Sequence, residues 1–172
     1  MKELALVMGV SGAGKSTVGP LLAARLGVPF ADADAFHPPA NIAKMSRGEP
    51  LTDADRWPWL DAIGAWLDAR QAAGEGGVVT CSALKRIYRQ RLLGARPRVR
   101  LVFLRGDPAL IAARQAARAG HFMPASLMAS QFATLEPPGP EENPIILSVE
   151  PPPEAIAEAA HRAFLDGPAE GR

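Results

Sequence analysis

Eight residues near the N-terminus have the types and spacing that bind phosphate. Residues 9–16 read GVSGAGKS, which matches G-x-x-x-x-G-K-S and directly follows the apolar run Leu4–Met8. In such a loop, glycines let backbone N–H groups surround phosphate oxygens, the lysine reaches the β- and γ-phosphates, and the serine hydroxyl can bind Mg²⁺. A helical pattern begins at Lys15, and a helix N-terminus adds positive potential. We expect phosphate contacts from Gly9, Ser11, Gly12, Ala13, Gly14, Lys15, Ser16 and Thr17.

Two aspartates form a second candidate site. Asp32 and Asp34 stand where the second predicted strand ends. Ligands of open α/β sheets bind at the carboxyl ends of strands, which places these residues beside the phosphate-binding loop. One carboxylate can hold a water of Mg²⁺ while the other receives the incoming nucleophile. Solvated turn residues are the simpler interpretation of two isolated aspartates, but the position after the P-loop helix favours a catalytic pair.

The elements that would position these residues alternate between strands and helices. This order is typical of a parallel sheet covered by helices on both faces. The expected strands are 4–8, 29–33, 77–81, 99–104 and 144–149. The expected helices are 15–26, 56–73, 84–93, 108–119 and 154–165. The pattern predicts an α/β P-loop fold with a five-stranded parallel sheet, in a single domain spanning 1–172. Pro20 lies inside the first helix, where it removes a backbone donor and predicts a kink.

Composition limits the classes of partner. The chain has 172 residues, a net charge of +1 and 48% hydrophobic residues, which suits one soluble domain. The balanced charge predicts no general attraction to nucleic acid or to membrane, and the apolar runs are far shorter than the roughly 20 residues of a membrane span. Cys81 is the only cysteine, so no intrachain disulfide can form and a cytoplasmic location is expected. Its apolar neighbours predict a buried small residue and not a nucleophile.

Several longer blocks carry a more specific signal than the phosphate loop. They read DADAFHPPANIAKM at 32–45, GEPLTDADRWPWL at 48–60 and CSALKRIYR at 81–89. Two later blocks read GHFM at 120–123 and SQFATLEP at 130–137. In this order, and over nearly the whole chain, they resemble the bacterial gluconokinase family. Phe36, Gln90 and Pro20 depart from the family pattern without touching the expected chemistry.

The resemblance implies an activity and an organisation. The activity is ATP-dependent phosphorylation of D-gluconate to 6-phosphogluconate with Mg²⁺, on a fold similar to shikimate and nucleoside monophosphate kinases. A substrate-binding insert is expected at about 36–73 and a mobile lid at about 120–140. Such a lid would exclude water that could otherwise accept the phosphoryl group.

Gluconate has a carboxylate at one end and a primary alcohol at the other, so its site needs a cation, hydrogen-bonding groups and a base. Arg56 and Lys85 are the candidates for the carboxylate, with local salt bridges as the alternative. Asp34 would orient the hydroxyl and accept its proton, while Asp32 and Ser16 would hold Mg²⁺. Weaker candidates for contacts with gluconate are His37, Lys44, Arg47 and Gln131.

Two arginines precede the expected lid. Arg114 and Arg118 are four residues apart on one helix face. We expect one or both to meet ATP phosphates when the lid closes, with a solvated cationic face as the equal alternative. His121, within the lid, is a weaker candidate.

Other features point to rival functions. The basic run 85–91 could contact nucleic acid, but its apolar residues fall at helical spacing and predict an amphipathic helix. Trp57, Trp59 and Trp66 fit core or dimer packing better than base stacking, which leaves a homodimer open. A GTP-binding switch would need an Asn-Lys-x-Asp run, which this sequence lacks. Among kinases, the rival acceptor is another small hydroxy acid or sugar acid.

Overall fold

The computed structural model describes residues 2–117 and 125–167. The strands are β1 Leu4–Met8, β2 Phe30–Asp32, β3 Gly77–Thr80, β4 Val99–Arg105 and β5 Ile145–Ser148. The helices are α1 Lys15–Leu26, α2 Pro39–Ser46, α3 Asp53–Ala72, α4 Arg86–Leu93, α5 Pro108–Ala117, α6 Ala125–Thr134 and α7 Pro153–Leu165. Short 3-10 turns occupy Ala33–Phe36 and Pro140–Glu142.

The strands of the described residues form one parallel sheet in the order β2-β3-β1-β4-β5. The central strand β1 pairs with β3 and β4, so that Leu6 lies opposite both Val79 and Leu101. Every residue of β1 is buried, as expected for a strand with helices on both faces. The predicted α/β architecture with a five-stranded sheet is therefore confirmed.

Alternate residues of β1 enter two separate cores. Val7 packs with Leu22 of α1 in a core that also includes residues of α7. Leu6 enters the other core with Ile63 of α3 and Leu92 of α4. Because successive side chains of a strand point to opposite faces, one buried strand joins both layers. The loop that follows β1 is thereby held from two sides.

Helix α3 begins earlier than its sequence pattern predicts. The expected start is Arg56, whereas the helix starts at Asp53. The Thr52 hydroxyl accepts from the Asp55 N–H at 3.1 Å, and the Asp55 carboxylate accepts from the Thr52 N–H at 2.8 Å. This reciprocal capping box satisfies two N–H groups at the helix start and so sets the boundary. Pro58 then lies inside the helix.

The sequence patterns do not predict α2 and α6. Helix α2 has eight residues, and Ile42 and Met45 on its surface are 52% and 42% exposed. Such a short helix with one buried residue, Asn41, shows no apolar stripe. Helix α6 lies within the expected lid at 120–140, whose beginning falls outside the described residues.

Helix α1 continues across Pro20 to Leu26. Its neighbour Gly19 packs tightly against the sheet, since a Cβ there would lie 2.7 Å from atoms of both Phe30 and Thr80. Glycine thus permits a close approach of helix and sheet directly behind the P-loop. Among the described residues, none of the helices is both long and apolar enough to cross a bilayer.

The charged side chains of residues 85–91 form ion pairs within the protein. Lys85 pairs with Asp53, Arg86 with Glu141, and Arg91 with Asp61. Tyr88 and Leu92 of α4 are buried, as the amphipathic pattern predicts. Ile87 is 44% exposed and the charged Arg89 is buried, so the prediction of an apolar inner face and a charged outer face is wrong at these two residues. The tryptophans divide between two environments. Trp59 is buried in the core, whereas Trp57 and Trp66 are half-buried.

Candidate active site

The loop between β1 and α1 has the backbone of a phosphate-binding loop. Gly12 and Gly14 adopt left-handed φ values of 86° and 98°, which glycine tolerates without strain. Gly14 is also the N-cap of α1, and no side chain caps this helix. The first N–H groups of α1 therefore lack the side-chain acceptor that commonly satisfies such groups. An anion at this position would satisfy them.

Lys15 is held against its own loop. Its Nζ donates hydrogen bonds to the carbonyl oxygens of Gly9 at 2.7 Å and Val10 at 2.9 Å. Burial lowers the pKa of Lys15 to about 8, although the charges of Asp32 and Asp34 act in the opposite direction. A buried cation opposite two carboxylates suits a site that receives phosphate oxygens.

A cavity of about 860 Å³ joins the P-loop to the end of β2. Most of the predicted residues contribute to it. The cavity is lined by Ser11, Gly12, Gly14, Lys15, Ser16, Asp32, Asp34, His37, Arg56 and Gln131. Its wall also includes residues that sequence reasoning does not identify as site residues, among them Met45, Leu51, Trp59, Thr80, Ser82 and Gln115. The phosphate loop, the carboxylates and the expected acceptor residues therefore share one space.

The two aspartates are placed by a tight turn. The Asp32 carboxylate accepts from the Asp34 N–H at 2.9 Å and caps the 3-10 turn that begins at Ala33. The Trp59 indole donates a hydrogen bond to the Ala33 carbonyl at 2.7 Å, and this bond connects α3 to the turn. The short turn presents both carboxylates to the cavity.

His37 stacks on Trp59, with ring centroids 4.4 Å apart and planes within 9° of each other. Burial lowers the pKa of His37 below its usual value; the Asp34 charge acts in the opposite direction, and the Arg56 charge lowers the pKa. The ring is consequently neutral at pH 7 and can accept or donate one hydrogen bond in the cavity.

Arg56 is the cation that the insert contributes to the cavity. Its Nη1 donates to the Leu51 carbonyl at 2.6 Å, and its guanidinium carbon lies 5.5 Å from the centre of the Tyr88 ring. Lys85 does not line the cavity, because its Nζ pairs with Asp53 at 3.1 Å. Of the two residues predicted for a carboxylate, the structure brings only Arg56 to the cavity.

Helix α6 reaches the P-loop through Gln131. Its Oε1 accepts a hydrogen bond from the Ser11 N–H at 3.1 Å. Gln115 of α5 approaches the same loop, with its Nε2 3.5 Å from the Ser11 hydroxyl. Gln115 is only 7% exposed, and together with Ile111 it forms the inner face of α5. Gln115 lies four positions after Ile111, on the same face of α5. A polar residue within the apolar face of a helix could have identified Gln115 from the sequence as a residue with a buried hydrogen bond.

Known proteins resemble this chain over most of its length. A family model described as an AAA domain matches residues 4–138. The gluconokinase of Gluconobacter oxydans is 52% identical over 159 residues, which cover 92% of this chain and 89% of that protein. The thermoresistant gluconokinase of Escherichia coli is 40% identical over 94% of this chain and 93% of its own length. This chain belongs to the gluconokinase family.

Solved structures agree with membership of the gluconokinase family. A gluconokinase from Sinorhizobium meliloti 1021 superposes with a TM-score of 0.86 at 47% identity, covering 96% of this chain and 93% of that one. A shikimate kinase from Aquifex aeolicus has a TM-score of 0.54 at 17% identity, covering 95% of this chain and 96% of its own. The second likeness shows a shared fold alone.

Other predicted residues lie outside the lining of this gluconokinase-family cavity. Lys44 pairs with Asp55 at 2.6 Å, and hydrogen bonds from Lys44 and from the Thr52 backbone lower the pKa of Asp55 to about 2. Lys44 thereby ties α2 to the start of α3. Arg47 pairs with exposed Glu49 at 3.1 Å. Of the residues expected to contact phosphate, Gly9, Ala13 and Thr17 do not line the cavity.

Arg114 lies elsewhere as well. Its guanidinium donates to the carbonyl oxygens of Val149 and Glu150, after β5. Gln115 lies on the buried face of α5. Adjacent residues of a helix point in different directions, so Arg114 points toward the segment that follows β5. Arg118 and His121 lie outside the described residues.

Cys81 lines the cavity as a buried thiol. Burial raises its pKa to about 12, so the nucleophilic thiolate form is suppressed at neutral pH. The prediction that Cys81 is buried is confirmed.

The donor set fits Mg²⁺ held together with phosphate. Within residues 2–117 and 125–167, no three or more acidic, histidine or cysteine side chains cluster as a metal cage. Ser16 and Asp32 line the same cavity. Magnesium commonly takes only one or two protein oxygens and completes its shell with water and substrate phosphates. Hydroxyl and carboxylate oxygens beside a phosphate loop match that requirement.

Proposed function

We propose that this protein is a gluconokinase that transfers the γ-phosphoryl group of ATP to the primary hydroxyl of D-gluconate. One observation carries the proposal beyond the names of its relatives. The phosphate-loop cation Lys15, the carboxylate of Asp34 and the guanidinium of Arg56 line one cavity of about 860 Å³. These are the groups needed for the phosphates, the attacking hydroxyl and the acceptor carboxylate.

The chain's own residues would act mainly by positioning and by neutralising charge, as is usual in phosphoryl transfer. Asp34 would orient the gluconate hydroxyl and accept its proton. As the hydroxyl oxygen bonds to the γ-phosphorus, the bond to the bridging oxygen breaks and ADP leaves with that electron pair. Lys15 would balance negative charge on the phosphate oxygens, and the P-loop N–H groups would hold them. Bound Mg²⁺, held by Ser16 and through water by Asp32, would supply further neutralisation.

Arg56 would bind the gluconate carboxylate through its planar fork. Its hydrogen bond to Leu51 and its position over Tyr88 keep the guanidinium in place. His37 and Gln131 would bond hydroxyl groups of the acceptor, because both line the cavity. Lys44, Arg47 and Lys85 would join only by exchanging their present carboxylate partners for the substrate.

An acceptor panel tests the proposal. Gluconate, glucose and shikimate are compared by ADP release, with the product of the active acceptor identified by phosphorus NMR. Glucose would leave the cationic group of the site without a carboxylate partner. Its kcat/KM should therefore be lower than that of gluconate by about 10³-fold or more. Shikimate should also fail, because its rigid ring separates carboxylate and hydroxyl differently from an extended chain. Equal turnover of glucose and gluconate would contradict the carboxylate site.

A paired substitution locates the acceptor cation. Arg56→Met should raise the gluconate KM by about 100-fold, the loss of a charge-assisted bidentate bond. Arg70→Met is the matched control on the same helix, since Arg70 pairs with Glu75 near the other end of α3. The control should keep its KM within about twofold. An unchanged KM in Arg56→Met would assign the carboxylate to another cation.

The rival interpretations give other results. Activity with a different sugar acid and none with gluconate would keep the kinase and change the acceptor. Fast ADP release that depends on an acceptor would exclude a nucleotide switch. The proposal also places the protein in the cytoplasm, where ATP and a reduced Cys81 are both expected. Light scattering would decide between a monomer and a homodimer, which the sequence leaves open.

A further inference from the structure

A buried arginine joins two walls of the cavity without lining it. The side chain of Arg89, on α4, is only 2% exposed. Its Nε and Nη2 bind the two carboxylate oxygens of Glu142 at 2.6 and 3.2 Å. Its Nη1 donates to the carbonyls of Ala83 and Leu84 at 2.8 and 3.1 Å, and Nη2 also donates to the Glu136 carbonyl at 2.8 Å. All five N–H donors of a guanidinium are thereby used.

One end of this network is the segment after β3. Cys81 and Ser82 line the cavity, and Ala83 and Leu84 follow directly. Ala83 has φ at 45°, a left-handed conformation that is costly for a residue other than glycine. Such a conformation persists only where its surroundings over-determine it. The hydrogen bond from Arg89 to the Ala83 carbonyl is one such restraint.

The other end is the segment that follows α6. Glu136 lies two residues beyond the end of this helix, and its N–H donates to the Leu84 carbonyl at 2.8 Å. Its carboxylate accepts from the Arg86 N–H at 3.1 Å. Helix α6 in turn carries Gln131, whose Oε1 accepts from the Ser11 N–H. A continuous chain of contacts therefore runs from Arg89 to the phosphate loop.

We propose that Arg89 is a positioning residue that sets α6, and with it Gln131, against the P-loop. The inference rests on the proposed phosphoryl transfer, in which the cavity must close around both substrates. The planar fork is essential, because it joins a carboxylate and three carbonyl groups from two segments at once. Lysine has three donors at a single point and cannot span these acceptors.

The alternative is a merely stabilising role within α4. A second cavity of about 600 Å³ borders Arg89, but Arg86 and Arg96 on its wall are already paired with Glu141 and Asp68. It offers no separate reason for the burial of Arg89. If Arg89 positions α6, its substitution should affect α6 and the P-loop. If Arg89 only stabilises α4, the effect should be confined to α4.

The first experiment compares Arg89→Lys with Arg91→Lys. Arg91 lies on the same helix, but its fork binds exposed Asp61, with both distances 2.8 Å. We expect Arg89→Lys to lower kcat by about tenfold or more, and Arg91→Lys to stay within about twofold of wild type. Both are assayed well below their melting temperatures. Folded Arg89→Lys with wild-type kcat would overturn the proposal.

A double-mutant cycle tests the route through Gln131. If Arg89 acts by placing Gln131, then Gln131→Ala should cost much less in kcat on the Arg89→Lys background than in wild type. Additive effects would overturn the proposed route. Should Arg89→Lys not fold, Glu142→Gln replaces it in the same cycle, because it keeps one acceptor and removes the charge of the pair.

Amide hydrogen exchange requires no phosphoryl acceptor. Its result therefore tests the role of Arg89 even if gluconate is not the substrate. Arg89→Lys should raise amide exchange by about tenfold or more in α6 and at Ser11, whereas Arg91→Lys should not. Faster exchange confined to α4 would show a local structural role and overturn the inference.

Discussion

The indole Nε1 of Trp59 donates a buried 2.7 Å hydrogen bond to the carbonyl oxygen of Ala33. Ala33 separates Asp32 from Asp34, so a core residue of α3 holds the backbone between the two carboxylates. The same indole stacks on His37 at 4.4 Å. One side chain thus sets both the carboxylate turn and the first residue after it.

Trp59→Phe should lower kcat by about tenfold. Phenylalanine keeps an aromatic surface for His37 but leaves the Ala33 carbonyl without its donor, which costs about 1–3 kcal/mol of stability. The half-buried Trp57 packs edge-on against Tyr88, so Trp57→Phe is the control and should keep its kcat. Steady-state kinetics and thermal melting of both variants check this. Equal kcat values would show that the turn holds without the indole.

Asp34→Asn should lower kcat by about 10²–10⁴, the usual contribution of an acid–base group. The gluconate KM should change little, because the carboxylate would act mainly in the transition state. Asp61→Asn is a control, since Asp61 binds Arg91 on the surface. An unchanged kcat in Asp34→Asn would move the role of base to another residue.

Nucleotide binding should take up a proton near pH 8. Burial places the pKa of Lys15 at about 8 in the ligand-free protein, so its ammonium is about half deprotonated at that pH. Polyphosphate favours the charged form and raises this pKa. The affinity for nucleotide should therefore fall as the pH rises above 8, because Lys15 must then take up a proton from solution when nucleotide binds.

Calorimetry in buffers of different ionisation enthalpy measures this uptake. Lys15 should account for about half a proton per protein at pH 8 and almost none at pH 6. Lys15→Met should abolish the uptake and the turnover while keeping the helical circular dichroism signal. Proton uptake that persists in Lys15→Met would assign it to a different group.

Pro20→Ala should raise the melting temperature. Alanine restores an N–H that can donate to the Ser16 carbonyl one turn earlier, and it removes ring crowding that costs up to about 3 kcal/mol. Each kcal/mol corresponds to roughly 2–4 °C for a domain of this size. kcat should not change. Pro108→Ala is the matched control at the first position of α5, where proline suits the helix and its removal should give no gain. A fall in both melting temperature and kcat would mean that Pro20 positions the P-loop.

The local pattern alone predicts the P-loop and all the strands of the sheet. Glycines at 12 and 14 permit left-handed backbone angles, and β1 is apolar throughout because helices cover both of its faces. Such features depend on residues adjacent in sequence, so they can be recognised without a fold. The start of α3 differs from the expected one because a capping box, and not periodicity, sets that helix end. Helix α4 starts at Arg86, two residues after its expected start, without a side-chain cap from its N-cap residue Lys85.

Pairings between distant residues could only be decided by the tertiary structure. Lys85 and Asp53 are 32 residues apart, Arg89 and Glu142 are 53 apart, and Gln131 and Ser11 are 120 apart. The residue type shows that a charge needs a partner, but several partners satisfy that need equally well. Which one is used depends on the rotation of each helix and on the order of the strands. That geometry brings Arg56 to the cavity, pairs Lys85 with Asp53 and buries Arg89 between two walls of the site.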